Sequence, residues 1–231
     1  MRIWDINPGY LNRQSLLGEH RELHGIVSII KNNKKGYSKH PETIRWIGYG
    51  WAINQRHRLL SAEMSFRGYQ DKSPVNLRSN KDQWPEIYID SPHIQMKLLK
   101  QKYIGKEKGR IPIPKTAQQL WEHHKYSVLA RGTSEYKKLE KLISSYSDGK
   151  NFSDLHKRLT TILRKRPSTK GINTSLQHMW ECASSSYTGN QDNILSWSQG
   201  RLLTEIQRLS RSNFDTHLRS CTALSELGTW M

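Results

Sequence analysis

LNRQSLLGEHRELHGIVSIIKN, Leu11 to Asn32, repeats its apolar residues with the period of an α-helix. Leu16, Leu23, Ile26, Val27 and Ile30 recur at three- and four-residue spacing and form a single stripe. Within the stretch a carboxylate, Glu22, follows Arg21, and Gly18 and Gly25 stand one turn before and one turn after it. Each glycine costs roughly 1 kcal/mol of helix stability relative to alanine. Their presence predicts that something bulky approaches the backbone beside Glu22. Glu22 is therefore marked as a site residue.

Working outward, Asn7-Pro8-Gly9 is a turn signal ahead of this helix. A basic stretch from Asn32 to His40 follows it. Pro41 suits the first turn of a second long helix, predicted over His40 to Arg67 and stopped by Gly68. Ile44, Ile47, Trp51, Leu59, Ala62 and Phe66 are its expected buried side. Residues 70 to 90 are expected to be irregular, with a short strand-like alternation from Glu86 to Ile89. Ser91-Pro92 then caps a third helix running to about Tyr103. KEKGRIPIP, Lys106 to Pro114, is charged, then Gly-containing, then twice broken by proline, as a linker would be. After it, helical patterns cover 116–131, 134–147, 153–166, 173–186 and 192–211. Thr116, Ser134 and Ser153 are the expected N-caps, and Pro167 the expected stop of the third of these helices. The fold class is all-α: two helical domains, 1–105 and 116–231, joined by a Pro/Gly-containing linker over 106–115.

The chain carries 37 Lys+Arg against 20 Asp+Glu, a net charge of +17. Up to Arg110 there are 20 basic and 10 acidic residues, and beyond it 17 and 10. The excess is thus spread over both domains, which points to folded basic surfaces facing a polyanion and not to a basic tail. Two cysteines, Cys182 and Cys221, without a CxxC pair imply neither a disulfide framework nor a thiolate zinc site. No apolar leader or bilayer-length apolar segment is present, so a cytoplasmic, nucleoid-associated protein with no membrane partner is expected. The sequence sets no oligomeric state.

Arg2 directs attention to Met1, because methionine before a large residue is normally retained. An α-amino group has a reference pKa of about 7.7–8.0, against about 10.4 for lysine, so it is a ready nucleophile near neutrality. An amine, a carboxylate and two arginines are the parts needed to attack an anomeric carbon flanked by phosphates.

At these residues the sequence resembles the phage-type pyrimidine-dimer DNA glycosylases with AP-lyase activity, over roughly residues 1–105. The resemblance rests on Met1-Arg2-Ile3, on Glu19-His20-Arg21-Glu22-Leu23 and on Glu63-Met64-Ser65-Phe66-Arg67-Gly68-Tyr69. Met-Arg-Ile-Trp-Asp-Ile at the start and Gly36 to Thr43 look still more like the bacterial branch of the family. It implies a DNA-repair enzyme, without cofactor, that displaces a base from damaged duplex DNA and forms a Schiff base between the N-terminal amine and C1′. Met1 would be the nucleophile and Glu22 the catalytic carboxylate. Arg2 and Arg21 would clamp phosphates, with His20, His24, His40 and Arg58 as further nucleic-acid contacts. Met1 stands where the phage members have a small residue, and a further family arginine falls at Gly25 or a neighbour. Trp84, Tyr88 and Tyr103 are the candidates for the family's aromatic cluster.

His20 and His24, four apart on one helix face, also have the spacing of a metal pair, to which His40 and His57 could add. Glu22 points away from that face, so this is no His-Glu-x-x-His arrangement, and no metal is assigned. His40 either caps the second helix or lines the pocket around Glu22. From Thr116 the chain resembles the YbgA-type domain of unknown function, on Trp121 to Tyr126, Ser134 to Leu139, Asn173, His178 and Ile194 to Leu209. His124, Lys125, Tyr126, Asn173 and His178 form either a polar site or a hydrogen-bonded bundle interior. The basic segment His156 to Arg166 offers either a phosphate-backbone contact or an ordinary solvated face. The alternative to the enzyme is a non-catalytic, basic nucleic-acid-binding protein.

Overall fold

Asn12 opens the first long helix, its side chain accepting a hydrogen bond from the Ser15 amide at 2.8 Å. This helix, α1, spans Arg13–Asn32 and ends on Asn33 in the left-handed region, a residue type that tolerates that conformation. The computed structural model describes residues 1–146, 152–189, 194–212 and 216–231. The chain divides into two units, Met1–Gly109 and Arg110–Met231.

In the first unit Leu16, Leu23 and Ile26 of the predicted stripe are buried, and Val27 and Ile30 are half-buried. The second helix departs from expectation. It is broken into α2, Pro41–Trp46, and α3, Gly50–Phe66. Gly48 adopts φ +87° in the break, and the Trp51 amide leaves the helical ladder to donate to Ser79 O at 2.9 Å. A Cβ at Gly50 would lie 2.6 Å from Ser79 Oγ and 2.9 Å from Leu77 Cβ, so the incoming 77–79 segment requires glycine there. The interruption destroys the phase relation between the two pieces. Ile44 and Ile47, expected to be buried, are each 55% exposed. The buried side is formed instead by Trp46, Ala52, Ile53, Leu60, Met64 and Phe66. Trp51, Leu59 and Ala62 are half-buried. α3 packs against α1, and α4, Pro92–Lys102, follows with Ser91 as its N-cap. Glu86 to Ile89 forms no strand, nor does any other described segment.

The second unit is built around α5, Ala117–Leu129, capped by Thr116. It packs against α6, Thr133–Ser144, α7, Phe152–Leu163, and α8, Thr169–Ala183. Leu120, Trp121, Val128, Leu139, Ile143, Leu155, Leu159 and Ile162 form one core cluster. Two N-caps are corrected: α6 starts after Gly132 and α7 at Phe152, so Ser134 and Ser153 lie inside first turns. Pro167 stands beyond the end of α7, next to Ser168, which caps α8. α9 spans Gln199–Ser212 and is followed by α10, Thr216–Arg219, and α11, Ala223–Glu226. The starts of the expected 192–211 helix and the end of the 134–147 helix lie outside the described residues. The polar C-terminal stretch folds back, burying Leu224, Leu227 and Trp230. Among the described residues no helix is long and apolar enough to cross a membrane.

Candidate active site

Residues 2 to 6 form no helix or strand, and polar side chains from helices hold this segment almost residue by residue. The Arg2 amide donates to the Glu22 carboxylate of α1. The Trp4 amide donates to Glu19 Oε1 at 3.1 Å, and the Asp5 amide to Gln95 Oε1 of α4 at 2.8 Å. Ile6 O accepts from Arg56 Nη1 of α3 at 2.7 Å. Between these bonds Ile3, Trp4 and Ile6 point their side chains into the core. The segment lacks strand partners, so each of these main-chain groups would be costly to bury without such side-chain partners. The consequence is that Arg2 to Ile6 are tied to the helices, with Arg2 beside Glu22.

Glu19 and Arg56 are the centre of this arrangement. The guanidinium grips the carboxylate with two bonds, Nε to Oε1 at 2.7 Å and Nη2 to Oε2 at 2.8 Å. Burial pushes the Glu19 carboxyl up from the ordinary range, against the opposing pull of Arg56. A second ion-pair network lies nearby: Arg45 pairs with Asp5 and with Glu42, whose Oε1 also accepts from Trp46 Nε1 at 2.9 Å. Burial raises the Glu42 carboxyl in the same way, with Arg45 opposing.

Beside Glu22 opens a cleft of about 600 Å³, lined by Arg2, Arg13, Gly18, Arg21, Glu22 and Lys102 among others. Arg2 is only partly committed. Its Nη1 donates to Asp90 Oδ2 at 2.6 Å and its guanidinium lies over Trp4 at 4.6 Å, while Nη2 is buried without a hydrogen-bond partner. Arg21 is exposed at the rim. With Glu19 already neutralised by Arg56, the cations outnumber the carboxylates left in the cleft. Trp4 is the aromatic residue in its lining. Trp84 stacks edge-on with Trp46 and Trp51, and Tyr103 is buried with its hydroxyl accepting from the Asn12 amide at 3.0 Å. The aromatic candidates therefore do not converge on the cleft.

A Cβ at Gly18 or at Gly25 would meet nothing within 4 Å, so internal packing requires neither glycine. Gly18→Ala is expected to stabilise the protein by up to about 1 kcal/mol in thermal unfolding. It should at the same time weaken salt-dependent DNA binding, because the methyl projects into the cleft. Undiminished binding would remove the ligand explanation for this glycine.

The remaining sequence candidates lie elsewhere. His20 and His24 sit about 200° around α1 from Glu22 and gather with His57 of α3 and Asp71. His57 Nε2 lies 3.2 Å from both His24 Nε2 and Asp71 Oδ2, and His20 Nε2 lies 3.3 Å from Asp71 Oδ1. Burial lowers His20 below the ordinary histidine value and pushes His57 down to about 4, with Asp71 opposing both. Burial acts to raise Asp71, but hydrogen bonds from the Ser73 amide and Ser61, with His57 and His20, hold it low. His40 caps α2, its Nδ1 accepting from the Glu42 amide at 3.1 Å, and does not line the cleft. Arg58 is exposed on α3, also outside the cleft lining.

In the second unit the polar residues do not form one site. His124 faces Thr222 Oγ1 at 3.3 Å, Tyr126 OH meets Cys182 Sγ at 3.1 Å, and Asn173 Oδ1 accepts from Gln199 at 2.7 Å. Lys125 pairs with Glu122, and His178 is exposed beside Glu181. These are the bonds of a helix-bundle interior and its surface. α7 buries Leu155, Leu159 and Ile162 and leaves Lys157 and Arg158 exposed, with Arg158 paired to Glu135 at 3.0 Å.

Sequence reasoning missed Glu19, Arg56, Gln95 and Asp90 as the residues that fix the N-terminal segment. Glu19 carried a signal, since it falls between Leu16 and Leu23 on the apolar stripe, where a charge needs a buried partner.

No curated protein and no solved structure matches the chain significantly. Residues 1–77, which hold Arg2, Arg21, Glu22 and the pinned N-terminal segment, match a family model described as pyrimidine dimer DNA glycosylase. Over these 77 of its 231 residues the chain is similar to the pyrimidine dimer DNA glycosylase family.

Proposed function

We propose that the protein excises damaged pyrimidines, pyrimidine dimers first among them, and then cleaves the strand as an AP lyase through a Schiff base on the Met1 amine. The observation that carries this reading is the hydrogen bond from the Arg2 amide to the Glu22 carboxylate, one residue from the proposed nucleophile. The neutral amine attacks C1′, and the glycosidic C–N bond breaks with its electron pair leaving on the base, which takes up a proton. Opening of the sugar at O4′ and loss of the amine proton give the iminium. Removal of a C2′ proton then expels the 3′ phosphate by β-elimination, and water releases the enzyme. Glu22 stabilises the positive charge that develops on the opening sugar and shuttles the protons. Arg21, exposed at the rim, and Arg2, in the cleft lining, receive the flanking phosphates. The lesion leaves the base stack to enter the cleft, at a cost of a few kcal/mol that damage reduces.

The second unit, read as YbgA-type, adds backbone contacts through the exposed basic face of α7. Acting on chromosomal DNA, the enzyme belongs in the cytoplasm with the nucleoid.

The test is borohydride trapping in EDTA on a duplex carrying one cyclobutane thymine dimer, beside abasic and undamaged duplexes. Reduction of the imine should leave a secondary amine, located on Met1 by digestion and mass spectrometry. An adduct only with the abasic duplex keeps the lyase and redirects the search to other lesions. No adduct with either overturns the mechanism and leaves a basic DNA-binding protein.

A further inference from the structure

We infer that His20, His24, His57 and Asp71 hold a divalent transition metal ion of the zinc class, on the face of α1 opposite Glu22. One nitrogen of each ring and one carboxylate oxygen all lie within 4.8 Å of one another. A tetrahedral zinc with Zn–N bonds of 2.0–2.1 Å has ligand–ligand edges of about 3.4 Å. The contacts of His57 Nε2 with His24 Nε2 and with Asp71 Oδ2, both 3.2 Å, match that edge, and His20 Nε2 lies 3.3 Å from the other Asp71 oxygen. The remaining pairs, all within 4.8 Å, close on an ion by moving inward by up to about 1.4 Å, within reach of side-chain rotation.

Hydrogen bonding alone accounts poorly for the cluster. His57 Nε2 has two neighbours at 3.2 Å but at most one proton to donate. His20 Nε2 is buried, and its polar neighbour Asp71 Oδ1, at 3.3 Å, lies outside good hydrogen-bond geometry. An ion accepts a lone pair from each ring at once. The donor set suits zinc, since imidazole favours it and no thiolate is needed. The surrounding groups also have the form of a metal site, with the Asp71 carboxylate oriented by Ser61 Oγ at 2.8 Å and by the Ser73 amide at 2.9 Å.

Four protein ligands make a closed site, and closed zinc sites are structural. The ligands come from α1, from α3 and from the irregular segment after Phe66. The ion is a clamp that ties this segment to the helix pair. It lies on the other side of α1 from Glu22 and takes no part in the glycosylase reaction.

The test uses the whole, untagged chain. After incubation with zinc and gel filtration, elemental analysis should give about one zinc per chain. Co²⁺ added to chelator-treated protein should give visible d–d bands of tetrahedral intensity, a readout on the wild-type chain that needs no variant. Chelation should lower a melting transition by several degrees, and zinc should restore it. Ser61→Ala leaves all four ligand side chains in place, removes the hydrogen bond that orients the Asp71 carboxylate and should weaken zinc binding about 10–100-fold, and Asp71→Asn more. An ion held at surface histidines such as His178 would not respond to Ser61→Ala. Stoichiometry below about 0.1 with no cobalt band, or unchanged affinity in Ser61→Ala, overturns the site.

Discussion

Glu22→Gln is expected to lower the strand-cleavage rate and the yield of borohydride-trapped adduct by about 10²–10⁴-fold, the usual contribution of a positioned acid–base group. The amide keeps the shape of the carboxylate and its oxygen can still accept from the Arg2 amide, so the fold should survive. Thermal unfolding of the variant should therefore stay close to wild type. This separates a lost proton shuttle from a displaced N-terminus. Binding to the dimer duplex should change little, because Arg2, Arg13, Arg21 and Lys102 still line the cleft. Cleavage at the wild-type rate by a folded Glu22→Gln protein would end the proposed role for this carboxylate. An extra residue placed before Met1 is the companion variant. It moves the amine about 3.8 Å along the chain and should abolish trapping while leaving Glu22 untouched.

Arg56→Met should cost about 3–5 kcal/mol of stability, the penalty of leaving one partner of a buried ion pair uncompensated. Arg56 is buried and makes three hydrogen bonds, two to Glu19 and one to Ile6 O. Urea unfolding should show the loss. The double variant Glu19→Leu/Arg56→Met should recover much of it, since the pair itself contributes far less than its rupture costs. The pH dependence has a defined sign. Burial already raises the Glu19 carboxyl, and without Arg56 nothing from that residue opposes the rise. A folded-state pKa above the unfolded one means that the folded protein binds more protons over the interval between them. Stability of Arg56→Met should therefore recover toward wild type as pH falls through the raised folded value, down to the ordinary carboxylate range. A gap between variant and wild type that widens on acidification would show that Glu19 is not the group left exposed. Arg56→Met should also reduce trapping, because Ile6 O loses its donor and Glu19, which holds the Trp4 amide, loses the guanidinium that fixes it.

Helix periodicity made α1 legible, because Leu16, Leu23 and Ile26 hold the helical period across the single buried charge, Glu19. The same reasoning failed at α2 and α3. Ile44 and Ile47 continue the period of the following helix on paper, but Gly48 breaks the phase, and the reason is the approach of Ser79 from 29 residues beyond Gly50. No local pattern carries that information. The halves of the candidate site divide similarly. Glu22, Arg21 and the permissive glycines are neighbours in sequence and were readable together. Arg2 and Glu22 could be paired only through family resemblance, since their contact spans 20 residues.

By itself the sequence determined the all-α class, the basic charge of both halves and the helix that carries Glu22, because periodicity and charge are local or additive properties. Tertiary structure alone decided that the N-terminal segment is held against Glu22 by Glu19, Arg56 and Gln95. It alone also brought His57 and Asp71 to His20 and His24. Both arrangements join groups far apart in the chain, and such contacts are selected by burial, which makes a polar group near the core find a partner wherever the fold supplies one.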